Sequence, residues 1–502
     1  MRPFFVDRPE IGLIGLDSWS DFFRTEIGQA INQNPVSVGP VSRIRVPKGR
    51  YTFRDIAQIS VTDTLKFTAL VFSIAPIIES SRLDSNVVFS NRFQNNRIVM
   101  LDRSRYDLFR KKSKDLSDKK KHTVKVITDI SNFYDRLNLH KLENILLEIG
   151  CEDKTVKKIN DILSQWSQTQ SFGLPVGSDA SRLLAEAMLI NVDRELSENG
   201  VRFIRYVDDF RIFCTSTHDA YEAMQILTDA LAGEGLFLNS GKTKVIDLSE
   251  AHEEERATKG EFESIDTDEK IEKSRVVRSG YTSRIARYYK YPGKEAIREL
   301  QKVDLSTRFN EIQDFGVHED RLKEFVKAAI YSAKPDFSWL KGIIERFPHL
   351  IPYVVDALDK EFGRDDSRFD DEFRDVAAEE FRSLFSEYSR NDYFRIQCAR
   401  SLAIVDGQFG DFLSAEILKM EPTREILFSQ VLYRLGTSLK RSTLLKLIDR
   451  FQSYGSIVKF AVVWCLKTPS ILSKDESRAK IKALSKGETN AFILRALKEK
   501  IC

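Results

Sequence analysis

The stretch RFIRYVDDFRIFCTS, Arg202–Ser216, sets two adjacent aspartates, Asp208 and Asp209, between two apolar, β-branched and aromatic runs. It reads as two strands around a tight turn. Neighbouring carboxylates are costly to bury unless a cation neutralises them. At a hairpin tip they also suit an ordinary acidic turn, so the motif alone is a weak signal and its surroundings decide.

Upstream, VKVITDI (Val124–Ile130) is a short β-rich run with Asp129 near its end, and LNLHKLENILLEIG (Leu137–Gly150) has helical spacing. DASRLLAEAMLINVDRELSENG (Asp179–Gly200) reads as one amphipathic helix, capped by Ser178 or Asp179 and ended by Gly200. Downstream, HDAYEAMQILTDALAGEG reads as a helix and LFLNSGKTKVIDL as strand–turn–strand. The order β, helices, ββ, α, β from Val124 to Leu248 predicts an antiparallel sheet with helices on one face. If the Val124–Asp129 strand lies beside the Asp208–Asp209 hairpin, three carboxylates converge. Carboxylate oxygens are the ligands Mg²⁺ or Mn²⁺ prefers, and two such ions are the recurring arrangement for in-line phosphoryl transfer.

The rest of the chain sets the frame. Its 502 residues suffice for two or three domains, and 42% hydrophobic content allows real cores. Lys and Arg number 78 against 75 Asp and Glu, so a nucleic-acid partner needs a local basic face. Five scattered cysteines, none in a C-x-x-C, argue against a disulfide framework and a structural zinc site. The N-terminus lacks a signal-peptide layout. The longest apolar run, ALVFSIAPII (Ala69–Ile78), is too short for a bilayer, which predicts a cytoplasmic protein with no membrane partner.

Within residues 1–120, VSRIRVPKGRYTFRDIAQIS (Val41–Ser60) reads as a hairpin turning at Pro47-Lys48-Gly49, and TDTLKFTALVFSIAPIIES (Thr62–Ser80) as a helix. The basic tract RKKSKDLSDKKKH (Arg110–His122) reads as a solvated loop, with a specific binding patch as the alternative. Residues 121–250 carry the sheet, 251–284 a charged linker, and 285–502 successive amphipathic helices suggesting either a HEAT-like α-solenoid or an irregular bundle.

Taken together, the motifs resemble the palm of reverse transcriptases, in the family's order. TDISNFYDRL (Thr128–Leu137) resembles the first motif, FGLPVGSDASRLLAE (Phe172–Glu186) the second, YVDD (Tyr206–Asp209) the third and LFLNSGKT (Leu236–Thr243) the fourth. The resemblance implies an α+β fingers and palm, 1–120 being fingers-like, followed by the helical domain. It implies that Asp129 and Asp208 carry two Mg²⁺ or Mn²⁺ ions, with the carbonyl of Ile130 a further ligand and Asp209 supporting the metals or orienting the hairpin. Tyr134 takes the place of the aromatic gate beneath the nucleotide sugar, which excludes a 2′-hydroxyl. Gly173, Pro175 and Gly177 let backbone approach the nucleotide. Lys242 donates a proton to pyrophosphate or pairs with its charge, and Lys48 and Arg54 match the basic residues that grip the triphosphate. Each of these also has a plain structural reading, as a core tyrosine, a loop or a surface charge.

One departure narrows the match. Many templated members read L-P-Q-G in the second motif, whereas this chain reads LPVG, and Val176 cannot hydrogen-bond as the amide does. That loop, with the helical C-terminal region, resembles the abortive-infection polymerases of bacteria and their prophages, within the defence-associated reverse transcriptases. The narrower resemblance implies antiphage defence and untemplated, protein-primed DNA synthesis from deoxynucleoside triphosphates. It also implies a single-stranded product attached to protein, and homo-oligomers. The alternatives are a templated, retron-like RNA-directed DNA polymerase, or a helical-repeat binding scaffold with a vestigial palm.

Overall fold

The computed structural model describes residues 20–47, 49–94, 97–99, 103–119, 121–167, 171–248, 289, 291–312, 319–363, 369–468 and 471–498. Lys48 and the charged stretch 251–284 lie outside them. The chain forms two compact units. One comprises Met1–Phe23, Val41–Ser60 and Thr282–Cys502; the other comprises Arg24–Pro40 and Val61–Tyr281. The stretch 1–120 is thus divided between them.

In the first unit the predicted hairpin is present: β1 (Ser42–Pro47) pairs antiparallel with β2 (Phe53–Gln58), Ser42 opposite Gln58 and Pro47 opposite Phe53. Its strands pack on the helices Asp392–Val405 and Glu425–Leu435, and the Ser42 hydroxyl donates to Glu425 (2.6 Å). The helices of this unit follow one another with short breaks. Ile351–Phe362, Asp392–Val405, Glu425–Leu435, Ser456–Lys467 and Ala491–Lys498 form a row in which each packs on the next, while the intervening helices lie alongside. Apolar side chains at helical spacing make that row: Leu402, Leu427, Val431, Leu432, Val458 and Ala461 are all fully buried.

In the second unit β3 (Arg92–Gln94) and β4 (Arg97–Val99) form a small hairpin that the sequence reading does not contain. The unit is built on a four-stranded antiparallel sheet, ordered β6 (Phe203–Tyr206), β7 (Asp209–Cys214), β5 (Val124–Asp129), β8 (Lys244–Asp247). Alternating burial along β5 fits a strand with one face on a core. β6 is buried throughout, because its outer edge is covered: Phe89 N–H donates to the Arg205 carbonyl (2.9 Å) and Arg205 N–H to that of Val87 (2.8 Å).

Three expectations need correction. The Asp179–Gly200 stretch forms two helices, Asp179–Ala187 and Ile190–Glu198, interrupted at Met188–Leu189. Every side chain from Ala180 to Ala187 is buried, so the first is a core helix with no solvent face. Most of the basic tract is the end of the helix Arg103–Ser117, where Phe109 and Leu116 supply a buried stripe. The first strand of LFLNSGKTKVIDL shrinks to a single bridge between Leu238 and Ile130.

The helix Val61–Ser80 runs through Pro76. By length and composition it is long and apolar enough to cross a membrane, but 56% of that stretch is buried within the protein. It packs on the helices Asp153–Ser167 and Asp179–Ala187, with Phe67 edge-on to Trp166 at 5.0 Å. The four described cysteines, Cys151, Cys214, Cys398 and Cys465, are free and buried.

Candidate active site

The sheet order brings the predicted carboxylates together. β5 and β7 pair so that Asp129 lies directly opposite Asp209, where cross-strand side chains meet. The Ile130 N–H donates to the carbonyl of Asp208 (3.1 Å), locking the tip of the hairpin onto the end of β5. On the other side the fourth motif is pinned to the same strand end. Asn239 N–H donates to the Asp129 carbonyl (2.8 Å), Ser131 N–H to that of Phe237 (2.8 Å), and the Thr128 and Thr243 hydroxyls share a 2.7 Å hydrogen bond. This anchoring carries Lys242, in the turn Ser240–Lys242, onto Asp129, whose Oδ2 it meets in an ion pair.

The electrostatics follow from crowding. Burial, then the charge of Asp129, pushes the Asp208 carboxyl up to about 7. Burial likewise raises Asp209 to about 6, against the pull of Arg211, which lies 4.0 Å from it and stacks over the Phe109 ring at 4.3 Å. Two carboxylates that resist ionisation beside a third negative charge are a binding place for positive charge.

The donor chemistry fits a hard divalent cation. Asp129 Oδ1 and Asp209 Oδ1 are buried with no hydrogen-bond partner among the described residues, and such oxygens are what Mg²⁺ or Mn²⁺ takes. Among the described residues no three His, Cys, Asp or Glu side chains are gathered tightly enough to hold an ion. For both oxygens of Asp129 to serve a cation, Lys242 must release Oδ2.

The second motif packs against the first. Gly173 N–H donates to the Leu137 carbonyl (2.8 Å) and Leu174 N–H to that of Tyr134 (2.9 Å). Gly173 (φ 95°) and Gly177 (φ 126°) both adopt backbone that side chains disfavour. At Gly173 an added Cβ would be 3.5 Å from the nearest atom, so conformation, not space, requires the glycine. Pro175 between them is buried. Tyr134 comes two residues after Asn132, itself left-handed at φ 46°. Its ring is 3% exposed and edge-on to Phe133 at 5.4 Å. Burial pushes the phenol well above its ordinary value, the Arg182 charge opposing and the Glu186 and Asp208 charges adding to it. Tyr134 therefore lies in the core. Arg54 belongs to the other unit, on β2 opposite Val46.

Sequence reading missed what stands behind the turn. Val207, the first of two loop residues between β6 and β7, has φ 60°. Primed hairpin turns need that sign and normally give the place to glycine; for a β-branched residue it is an outlier. Next to it a buried charge network joins Arg82, Glu186, Asp193 and Arg205. The signal in the sequence is Glu186, a charge inside the otherwise apolar run LLAEAMLI.

Residues 50–277 match the family described as reverse transcriptase (RNA-dependent DNA polymerase). The comparison with curated proteins found no match. Among solved structures, the telomerase of Candida albicans in complex with a fragment of telomeric RNA is 13% identical. It covers 89% of this chain and 67% of its own, with a TM-score of 0.30. The Candida tropicalis telomerase gives the same identity, coverage of 89% and 68%, and a TM-score of 0.30. Likeness of that size carries no argument. With the first and third motifs paired on one antiparallel sheet, and the second and fourth hydrogen-bonded to the first, the match over residues 50–277 makes the chain a nucleotidyltransferase of the reverse-transcriptase type.

Proposed function

We propose that the protein is a metal-dependent DNA polymerase of the reverse-transcriptase type, acting in antiphage abortive infection by untemplated, protein-primed synthesis. The observation that carries the polymerase reading is the placement of Asp129 opposite Asp209 and against the Asp208 tip, with unpartnered buried carboxylate oxygens. Asp129 and Asp208 hold the cations, and Asp209, with its own unpartnered Oδ1, supports them or orients the hairpin. When bound, a pair of divalent ions supplies positive charge against the triphosphate and activates the attacking hydroxyl. Lys242, once released from its ion pair with Asp129, is the proposed proton donor to the departing pyrophosphate. Tyr134 is the candidate sugar gate, on the likeness of TDISNFYDRL to the family's first motif. Lys48 and Arg54 are proposed to grip the triphosphate.

The defence role, protein priming and homo-oligomeric assembly rest on the likeness of LPVGSDASRLLAE and a helical C-terminal region to the abortive-infection polymerases. The row of alternately packed helices supports a HEAT-like reading of that region. Free buried cysteines suit the cytoplasm. The RNA-dependent character of the matching family favours, as second reading, a polymerase that copies an RNA template.

One experiment separates the two. Purified protein is incubated with Mg²⁺ or Mn²⁺ and labelled deoxynucleotides, without nucleic acid, and run on a denaturing gel. Label that stays on the polypeptide supports protein priming. Incorporation only when RNA template and primer are added would replace that reading with the templated one, and no incorporation under either condition would remove the polymerase.

A further inference from the structure

The residue before Asp208 is held from both sides by a single buried network. The Val207 N–H donates to the Ser90 hydroxyl (2.9 Å), and the Val207 carbonyl accepts from Arg205 Nη1 (2.8 Å). The Ser90 hydroxyl in turn donates to Glu186 Oε1 (2.6 Å). Glu186 Oε2 accepts from Arg205 Nη1 (3.0 Å) and Arg82 Nη2 (2.8 Å). Arg205 closes the far side with a two-pronged bond to Asp193, at 2.8 and 2.5 Å. Arg205 is entirely buried and Ser90, Glu186 and Asp193 are 1% exposed. The ring Val207–Ser90–Glu186–Arg205–Val207 therefore grips both polar groups of one residue.

Stability does not explain this arrangement. Two guanidinium groups and two carboxylates balance in charge, but taking them out of water gives back most of their attraction, and apolar residues of similar volume commonly do as well. What apolar residues cannot do is hold a valine at φ 60°. Such a conformation persists only where its surroundings over-determine it, and it occurs where a fixed geometry is needed. The element that supplies Ser90 also closes the edge of β6 through Val87 and Phe89, so the clamp is built into the sheet.

We propose that Ser90, Glu186 and Arg205 are positioning residues: they hold the Val207 peptide in its left-handed form and so aim the Asp208 carboxylate at the cation site shared with Asp129. Ser90 is the selective handle, since its hydroxyl links the Val207 N–H to Glu186 while the charges remain paired without it. The inference rests on Asp208 being a cation-binding carboxylate, as read above.

The test uses the full chain and Mn²⁺ alone, followed by the paramagnetic resonance signal of free Mn²⁺, with amide hydrogen exchange at the turn and thermal melting of the metal-free protein. Partners behind metal-holding groups commonly change affinity about tenfold or more when removed. Ser90→Ala is therefore expected to weaken Mn²⁺ binding by about tenfold, to speed exchange of the Val207 amide, and to melt close to the parent. Ser90→Thr, which keeps the hydroxyl, restores the Mn²⁺ affinity. If Ser90→Ala does not fold, Ser90→Cys takes its place, with a weaker donor and acceptor and the same expected direction. A variant that melts lower but binds Mn²⁺ as the parent does, with Val207 exchange unchanged, overturns the positioning role. An Asp208→Asn chain that binds Mn²⁺ as tightly as the parent overturns instead the reading of Asp208 on which the proposal stands.

Discussion

In the sheet-bearing unit the inward charges converge: Arg82, Glu186, Asp193 and Arg205 close around one peptide. In the helical unit several of them fasten neighbouring elements. Arg382 reaches Asp406 at 2.5 Å, Arg400 lies 3.6 Å from Asp356, and Lys459 lies 2.8 Å from Glu488. Pairs of the second kind fasten one helix to the next and can recur wherever two helices meet. A closed ring that includes backbone groups does something else, because it sets where an atom sits. The helical unit also has such a ring, Asp356 accepting from the Tyr289 N–H (2.6 Å) and Lys360 donating to the Tyr289 carbonyl (2.5 Å), so what sets the sheet-bearing unit apart is the left-handed Val207 beside the Asp208 tip that its ring holds.

The comparison can be broken in graded ways. The largest effect is expected at the tip itself. Asp208→Asn should lower nucleotide incorporation on the order of 10³-fold or more, the scale seen when a member of a catalytic unit is removed, and a labelled-nucleotide assay reads it. Behind the tip, Arg205→Met strands Asp193 and Glu186 without a partner. It should cost about 3–5 kcal/mol, measured by denaturant unfolding, as losing one side of a buried ion network does. Arg382→Met, which breaks a pair whose arginine is 37% exposed and whose aspartate is 5% exposed, should cost less, about 1–3 kcal/mol, in the same measurement. Equal losses at the two arginines would erase the distinction drawn between the units.

Two further tests sharpen it. Asp208 and Asp209 hold their protons up to about 7 and about 6 in the folded chain, against about 4 for an ordinary aspartate. The folded state therefore binds more protons between those values, and in chelator the contribution of these groups to stability is full below about pH 4 and falls as pH rises to about 7. Thermal melts across that range should show the parent losing stability that Asp208→Asn retains. Tyr134→Ala should relax preference for deoxynucleotides over ribonucleotides by about tenfold, the scale of a single pocket contact; unchanged discrimination removes the gate.

Much was legible in the residues alone. Short-range patterns gave the hairpin at Val41–Ser60, the β6–β7 hairpin and most helices, because period-2 and period-3.6 burial are local signals. The four motifs identified Asp129, Asp208, Asp209 and Lys242, and the sheet joins these four around one strand end. The helix break at Met188–Leu189 was not legible, since charged residues at Arg182, Glu186 and Asp193 looked like a solvent face.

What the sequence determined by itself was which side chains exist to do chemistry and in what order, since composition and spacing survive without a fold. Tertiary structure alone decided that Ser90, Glu186 and Arg205, up to 115 positions apart in the chain, meet at the Val207 peptide. Their partners are a backbone group and one another. A hydrogen bond to a peptide leaves no mark in the identity of the residue that receives it, and a buried charge reads as an exposed one until its neighbours are in place.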